Sequence, residues 1–370
     1  MKFTCEKNAL VSAISVASRT VAQKSTIPAL EGIYIRAGVK LTLSGYNLET
    51  GITISVDAEI QQTGACIMPS RLFFDIIRKL PGDTVSISVD EKFKVSIRGG
   101  ISSFSITAMS SEDYPELPEV DSDKGISLPQ NELKAMIGGT SFAVSENQAR
   151  PIHTGCRFEV EDSSITVVAV DGYRLALRRW KSEEPIGRTL KFVVPAAALK
   201  EAEKILGDTD EACTFFLGST HILFTIGEAT LVCRLLEGEF LDWRRVLPQN
   251  QPVKLAVNVA KMTDSIERVG LLISEKLKSP VRGKFGENTA DFRSVSTIGE
   301  AHDVCQIAGD GQDMEIGFNC RYLLDALRAI PDAECSLELI NGLSPIVMNP
   351  CDGSERYSYM VLPVRLKAGE

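Results

Sequence analysis

The residues best suited to chemistry in this chain are two pairs in which a cysteine stands three positions after a histidine. They are His153 with Cys156 and His302 with Cys305. An imidazole and a thiolate at this spacing can both ligate zinc, but a tetrahedral site needs four ligands. Neither pair has a second pair near it, and the remaining histidine, His221, has no cysteine beside it. We therefore interpret both pairs as coincidences and predict no metal site.

The common signatures of phosphate binding and of nucleophilic catalysis do not occur in the sequence. There is no G-x-x-x-x-G-K-[ST] loop, no G-x-G-x-x-G after a strand and no G-x-S-x-G elbow. Acidic clusters such as Glu112-Asp113 have no defined geometry and are typical of solvated loops. We predict that the protein is not an enzyme and uses no cofactor. An enzyme with an unrecognised site is the alternative.

The composition is that of a globular protein with several domains. Of 370 residues, 44% are hydrophobic and 24% charged, which is enough apolar material for a core in each domain. No apolar run approaches the roughly 20 residues that cross a membrane. Nine scattered cysteines without a C-x-x-C pair favour free thiols in a reducing cytoplasm. The net charge of −9 argues against a protein that holds nucleic acid by overall electrostatics.

The sequence contains three repeats of a unit of about 120 residues. The segment 151–177 predicts two strands joined by a turn, and similar segments begin at Pro28 and, more loosely, at Pro280. Each unit also has two helical patterns. The first are predicted over 6–22, 130–143 and 259–273, and the second begin near 68, 194 and 318, where Pro69, Pro195 and Asn319 suit a helix start. The predicted domains are 1–122, 123–249 and 250–370.

Helices of this α+β pattern that bury one face on a sheet leave the opposite face exposed. On or beside the predicted helices, these faces carry basic residues: Lys24, Arg71, Arg78, Lys79, Lys200, Lys204, Arg321 and Arg328. Each of them alone is typical of a solvated helix face. As a set they indicate a shared cationic surface.

Over essentially its whole length, the chain resembles the β subunit of bacterial DNA polymerase III, the sliding-clamp family. The matching motifs, in order, are MKFTCEKNAL at the start, SEDYPELP from Ser111, AVDGYRLA from Ala169, RRVLP from Arg244, MEIGFN from Met314 and LPVRL from Leu362.

The resemblance implies a DNA-clamp fold: three repeated clamp domains with helices lining a central hole and sheets outside. It also implies a ring closed by head-to-tail homodimerisation. Twelve helices of roughly 10 Å diameter leave a hole of about 28 Å, which admits duplex DNA. Such a ring is a polymerase processivity factor held on DNA by topology. The candidate residues lining the channel are Lys24, Arg71, Arg78, Lys79, Lys200, Lys204 and Arg321.

The family also docks partners in a groove that takes a short peptide with a glutamine and terminal hydrophobic anchors. The partners implied are the polymerase III α subunit, the clamp loader and other proteins with this motif. The matching positions are His153, Val170, Gly172, Tyr173, Arg174, Leu175, Leu241, Arg245, Val246, Met360, Val361, Leu362, Pro363, Val364 and Arg365. Ordinary core packing is the alternative for Leu175, Val246 and Val361. The chain departs from the family at Leu241, where proline is usual, and at His153, where an aliphatic residue is common.

For the dimer, Phe104 and Ile106 match one side of the family interface, and Leu272 and Ile273 match the other. An array of repeats with an unpaired sheet edge at each end is expected to close edge to edge. The rival to a ring is a monomeric three-domain scaffold that binds peptides and does not encircle DNA. No membrane partner is predicted.

Overall fold

The architecture was obtained as a computed structural model, which describes residues 1–273 and 280–366. Residues 274–279 and 367–370 of the predicted third domain lie outside the described residues. None of the described helices has the length and apolarity that a bilayer crossing requires. The α-helices are α1 (Lys7–Ala17), α2 (Ser70–Lys79), α3 (Gln130–Gly138), α4 (Ala196–Ile205), α5 (Val259–Gly270) and α6 (Cys320–Arg328).

Antiparallel strands make up most of the remaining structure. They are β1 (Lys2–Glu6), β2 (Gly32–Ala37), β3 (Leu41–Tyr46), β4 (Thr50–Val56), β5 (Ala58–Gln62), β6 (Gly64–Pro69), β7 (Thr84–Val89), β8 (Lys94–Gly99), β9 (Ser102–Thr107), β10 (Ile126–Pro129), β11 (Gly155–Glu161), β12 (Ser164–Val170), β13 (Arg174–Lys181), β14 (Leu190–Pro195), β15 (Ala212–Leu217), β16 (His221–Ile226), β17 (Ala229–Arg234), β18 (Val253–Asn258), β19 (Val281–Ser296), β20 (Gly299–Phe318), β21 (Glu334–Leu339), β22 (Ile346–Pro350) and β23 (Tyr357–Val361).

Hydrophobic periodicity explains the helices that the sequence predicted. In α2, Phe73, Ile76 and Ile77 are buried while Arg71 and Arg78 are exposed, as expected for one apolar stripe at helical spacing. The predicted second helices are confirmed in all three repeats.

Helix ends follow from side-chain caps and from close packing. The predicted cap of α6 is confirmed, because the Asn319 side chain accepts hydrogen bonds from the backbone amides of Arg321 and Tyr322. The prediction for the first helix of repeat one was too long. That helix stops at Ala17, where Gly45 packs so closely that a Cβ on it would lie 2.0 Å from the Ala17 carbonyl oxygen.

The described strands form three sheets, with strand orders β5-β1-β7-β8-β9, then β10-β15-β16-β17-β4-β3-β2-β6, and finally β14-β11-β12-β13-β23-β22-β21-β18-β20-β19. Two of these sheets join neighbouring repeats in the same way. β4 pairs with β17, the last strand of repeat two, from Thr50 opposite Cys233 to Ile54 opposite Ala229. β13 pairs with β23, the last strand of repeat three, over the same number of residues.

The chain divides into two compact units. The first unit contains 1–134 and 201–235, and the second contains 135–200 and 236–370. Because strands of different repeats share a sheet, these units do not follow the repeats. The predicted domain boundaries therefore stay a prediction. In the first unit, α1 and α2 cover an apolar core that includes Phe3, Leu10 and Phe73.

Candidate functional site

The second unit contains an apolar cluster on one face of its sheet. Strand register sets Val170 opposite Leu175, Leu175 opposite Met360 and Met360 opposite Val347, so four neighbouring strands place these side chains in one row. All four are buried in the same cluster. The structure thus brings together three residues that the sequence predicted for a peptide groove, Val170, Leu175 and Met360, and adds Val347.

One side of this cluster is formed by the segment that leads from β17 to β18. Its Phe240 and Trp243 are buried in the cluster, and Val246 is half-buried against it. Leu241 is 41% exposed beside them. The Arg245 side chain is 86% exposed and pairs with Asp242, with 3.1 Å between Nε and Oδ2. That this segment lines a groove for partner peptides stays a prediction.

A buried carboxylate on β11 binds two side chains of the segment between β17 and β18. Glu159 is 1% exposed, and its oxygens lie 2.9 Å from Arg157 Nε and 2.7 Å from Arg244 Nη1. Trp243 Nε1 donates to Glu159 Oε1 over 3.3 Å. The Arg244 guanidinium lies 4.2 Å from the centre of the Trp243 ring. Hydrogen bonds to a charged group stabilise more than neutral ones, so Glu159 fixes the turn that carries Val246.

The turn between β12 and β13 presents an aromatic ring to solvent. Asp171 Oδ1 accepts from the backbone amides of Tyr173 and Arg174, and Gly172 has a φ of 90°, which favours glycine. Tyr173 is 62% exposed and stacks on Tyr322 of α6 with 6.0 Å between ring centres. The tyrosine pair therefore connects the groove region to α6.

Arg174 does not act as an exposed arginine at the groove rim. Its side chain is 8% exposed, with Nε 2.9 Å from Asp171 Oδ2 and Nη1 2.6 Å from Asp325 Oδ2. Its Nη2 donates to the Phe142 carbonyl over 2.6 Å, and the guanidinium lies 4.4 Å from the centre of the Tyr322 ring. Arg174 therefore holds α6 and the 3₁₀ turn at 141–143 against β13.

We expect Arg174→Ala to lower the free energy of unfolding by about 3–5 kcal/mol, because it leaves partly buried carboxylates without their cation. Denaturant unfolding measures the change. The matched control is Arg245→Ala, whose exposed side chain should change stability by no more than about 0.5 kcal/mol. Equal stability of the two variants would contradict this role for Arg174.

The chain after β23 contacts the apolar cluster. Leu362 is half-buried against the cluster, and its amide donates to the Tyr173 carbonyl over 2.8 Å. Val361 is buried on the opposite face of β23. Pro363 is half-buried, Val364 is 36% exposed and Arg365 is exposed. Of the predicted terminal residues, Met360 and Leu362 contribute side chains to the apolar cluster.

His153 lies beside the same cluster and has an apolar environment. Its ring centre is 5.0 Å from that of Phe240. Burial, and then the nearby Arg150, lower the pKa of His153, so its ring is neutral near pH 7. Burial also raises the pKa of Cys156 to about 12, which disfavours the thiolate that would bind a metal.

The other histidine–cysteine pair has a different partner for its ring. His302 Nε2 lies 2.8 Å from Asp291 Oδ2, and Asp291 Oδ1 accepts from Arg293 Nε over 2.9 Å. Hydrogen bonding from Arg293 lowers the pKa of Asp291. In the part of the chain that the structure describes, no group of three or more metal-ligating side chains is found.

The predicted DNA-contacting residues of repeat one are exposed. Arg71, Arg78 and Lys79 lie on the solvent side of α2, and Lys24 is exposed in the segment after α1. Arg78 Nη2 lies 3.4 Å from Asp75 Oδ1, a surface pair that leaves the guanidinium accessible.

The predicted cations of repeats two and three are also exposed on helices. Lys200 and Lys204 lie on α4, and the Lys204 ammonium is 2.7 Å from Glu201. Arg321 lies at the start of α6, with its Nε 3.9 Å from Asp325. That these residues face DNA stays a prediction.

Two of the unpaired strand edges in the described residues lie at or beside the predicted interface residues. β9 ends its sheet, with Phe104 42% exposed and Ile106 half-buried. Residues 299–306 of β20 pair with β19 along one edge, and their other edge has no partner in the described chain. Pairing of β18 with β20 begins at Ile307. Leu272 and Ile273 are half-buried, and Leu272 Cδ1 would lie 3.8 Å from a Cβ on Gly299. The second pair of predicted interface residues thus lies next to the second free edge.

Sequence reasoning did not find Trp243, Glu159, Tyr322 or Asp325. Trp243 had a visible signal, because an aromatic residue within the matched segment around RRVLP is suited to anchoring it. The others act through partners that are distant in the sequence and give no local pattern.

Comparisons with known proteins agree with this arrangement. Three family models of the DNA polymerase III beta subunit match this chain. The model of the N-terminal domain matches residues 1–118, that of the central domain 127–242 and that of the C-terminal domain 244–365. The beta sliding clamp of Staphylococcus epidermidis is 32% identical over 381 residues, covering 99% of each chain. That of Staphylococcus aureus is 32% identical over 378 residues, with the same coverage.

Solved structures give the same result. The sliding clamp of Bacillus subtilis superposes with a TM-score of 0.94 at 30% identity, covering 99% of this chain and 100% of that one. The sliding clamp of Pseudomonas aeruginosa bound to griselimycin has a TM-score of 0.93 at 28% identity, with the same coverage. The chain therefore belongs to the DNA polymerase III beta subunit family, the bacterial sliding clamps.

Proposed function

We propose that the protein is a DNA polymerase processivity factor. Two copies close head to tail into a ring around duplex DNA, and the ring tethers the replicative polymerase. One observation carries this proposal. Adjacent repeats are joined twice by the same strand pairing. In the described chain, β9, which is the last strand of repeat one, and the segment 299–306 of β20 in repeat three each have an edge without such a partner. A second copy supplies each of them with the other.

The charge distribution suits a ring that slides. A net charge of −9 opposes general adhesion to DNA, while exposed lysines and arginines on the helices provide local attraction. A closed ring needs no tight phosphate contacts, because topology prevents dissociation. In this role the protein performs no catalysis and needs no metal or cofactor.

The groove on the second unit is the proposed docking site for partners. Its apolar floor and exposed Leu241 suit the hydrophobic anchors of a short peptide, and the neighbouring polar groups set its direction. The partners expected are the polymerase III α subunit, the clamp loader and other proteins with the same motif. All nine cysteines are unpaired, which fits work in the cytoplasm.

The proposal is tested by retention on DNA. Protein loaded onto circular duplex DNA by a bacterial clamp loader should remain bound during gel filtration and should leave when the circle is cut. Equal retention on circular and cut DNA would indicate adhesion instead. A single-chain mass in solution would favour the alternative, a monomeric peptide-binding scaffold.

Neutralising the proposed channel lining should weaken retention. We expect the quadruple variant Lys24→Gln, Arg71→Gln, Arg78→Gln and Lys79→Gln to lower the amount loaded on circular DNA about tenfold at 50 mM salt. The expected difference shrinks as salt rises, because screening already weakens phosphate contacts. Loading measured over a salt series tests this expectation.

A control with the same change in charge separates the channel from general electrostatics. Its four lysines are exposed on strands or turns outside the helices: Lys2, Lys92, Lys94 and Lys191, each changed to Gln. This control should load within about twofold of the unchanged protein. Similar losses in both quadruple variants would exclude a specific role for the helices.

A further inference from the structure

A second cleft lies beside the groove on the second unit. It consists of two adjoining cavities of about 280 Å³ and 420 Å³, which share Trp243, Leu247, Asn349 and Ser358 in their walls. Their combined volume is in the range of ligand pockets, roughly 300–1,000 Å³. None of these four residues was among the predicted groove positions. The cleft therefore extends beyond the predicted groove positions.

Strand register shows that the cleft continues the groove. Met360 lies in the groove row, and Ser358 is two residues away on the same face of β23. On β13, Leu177 stands two residues from Leu175 and lies opposite Ser358. One step along the strands, about 7 Å, therefore leads from the groove floor to the cleft.

Two polar side chains in the cleft have no partner in the described residues. Val347 pairs with Met360, and this register sets Asn349 opposite Ser358. Both side chains are half-buried, and neither makes a hydrogen bond within the described chain. An amide and a hydroxyl side by side can each donate and accept. They match the alternating amides and carbonyls of an extended peptide.

The charged groups of the cleft are already compensated. Lys254 Nζ lies 3.3 Å from Glu338 Oε1, and Arg179 Nη1 pairs with Glu355. Arg244 is held by the buried Glu159. A charged ligand would gain little here, because each cation has a carboxylate partner. The remaining surface is neutral: Trp243 and Leu247 supply apolar contact.

We propose that this cleft binds neutral polar residues that flank the anchor motif of a docked partner peptide. The inference rests on the proposed function, since the same peptide occupies the groove. A flank of two to four extended residues, at about 3.3 Å each, spans the distance from the Met360 row into the cleft. Partners with such a flank bind more tightly than the motif alone allows.

The test compares three synthetic peptides by isothermal titration. The first is a pentapeptide that begins with glutamine and ends in two large apolar residues. The other two add a Ser-Asn-Ser-Gln flank at one end or at the other. We expect one of the flanked peptides to bind about 5- to 30-fold more tightly than the pentapeptide, from two added hydrogen bonds.

The double variant Asn349→Ala with Ser358→Ala should abolish that gain and leave the affinity of the pentapeptide unchanged. The matched control, Asn8→Ala with Ser219→Ala, changes exposed residues in the first unit and should keep the gain. Persistence of the gain in the cleft variant would overturn the inference.

The failure of this inference and the failure of the proposed function give different results. If the pentapeptide binds and neither flank improves it, the cleft proposal is wrong and the docking groove stands. If none of the three peptides binds, the docking groove itself is wrong. A glutamate-rich flank that binds more tightly than the neutral one would overturn the proposed chemistry of the cleft.

Discussion

Phe104→Asp is expected to convert the protein to a monomer of 40.3 kDa, half the mass of the closed ring. Phe104 is 42% exposed on β9, an edge strand that has no outer neighbour in the described chain. A carboxylate in the middle of a strand junction between two copies loses its hydration without gaining a partner. This costs about 2–4 kcal/mol at each interface.

Head-to-tail closure contains that interface twice, so the dimer Kd should rise roughly 1,000-fold or more. Sedimentation or light scattering at micromolar concentration measures the mass. The fold itself should survive, since Phe104 lies outside the apolar core of the first unit. A single cooperative thermal unfolding transition, at a lower temperature than that of the dimer, would show that the monomer is folded.

Val39→Asp is the matched control, because Val39 is fully exposed in the turn between β2 and β3 and should stay dimeric. A dimer that survives Phe104→Asp would mean that β9 is not the interface. The pairing pattern of the repeats would then require another explanation. The variant also tests retention, since an open chain should leave circular DNA as fast as linear DNA.

The elements of the fold were predictable because their signals are local. Phe73, Ile76 and Ile77 recur at helical spacing, and Asn319 caps α6 as its residue type suggests. The ends of the first helices were less predictable. After Ala17 the chain continues as a 3₁₀ turn over Ser18–Thr20, and Gly45 packs closely against the Ala17 carbonyl. This contact joins residues with no shared sequence signal.

The family resemblance named the positions of the proposed groove, but it did not predict how each side chain is placed. Leu175 and Val361 are buried within the chain, which agrees with core packing for their side chains, while Val246 is only half-buried. Arg174 matched a groove position, yet its side chain is buried in an ion pair with Asp325. Asp325 lies far along the chain, so the sequence gives no local sign of this pair. Only the tertiary structure separates a rim arginine from a buried one.

Leu362→Asp should strongly weaken peptide docking while leaving the ring on DNA. Leu362 is half-buried against the cluster that contains Leu175 and Met360, and part of its surface is open to a ligand. Binding of an apolar anchor would remove water from a carboxylate at this position without giving it a polar partner, which costs binding free energy. We expect a loss of about 2–4 kcal/mol, roughly 30- to 900-fold in Kd.

Binding of the motif pentapeptide by calorimetry measures that loss, and retention on circular DNA shows whether the ring is intact. Leu343→Asp is the matched control, because Leu343 is 77% exposed in the second unit and lies outside the cluster. It should bind the peptide as the unchanged protein does. If Leu362→Asp also binds normally, the anchors do not lie on this face of β23. The proposed ring edges and the groove use different strands, so a loss of both docking and retention would contradict this separation of the two activities.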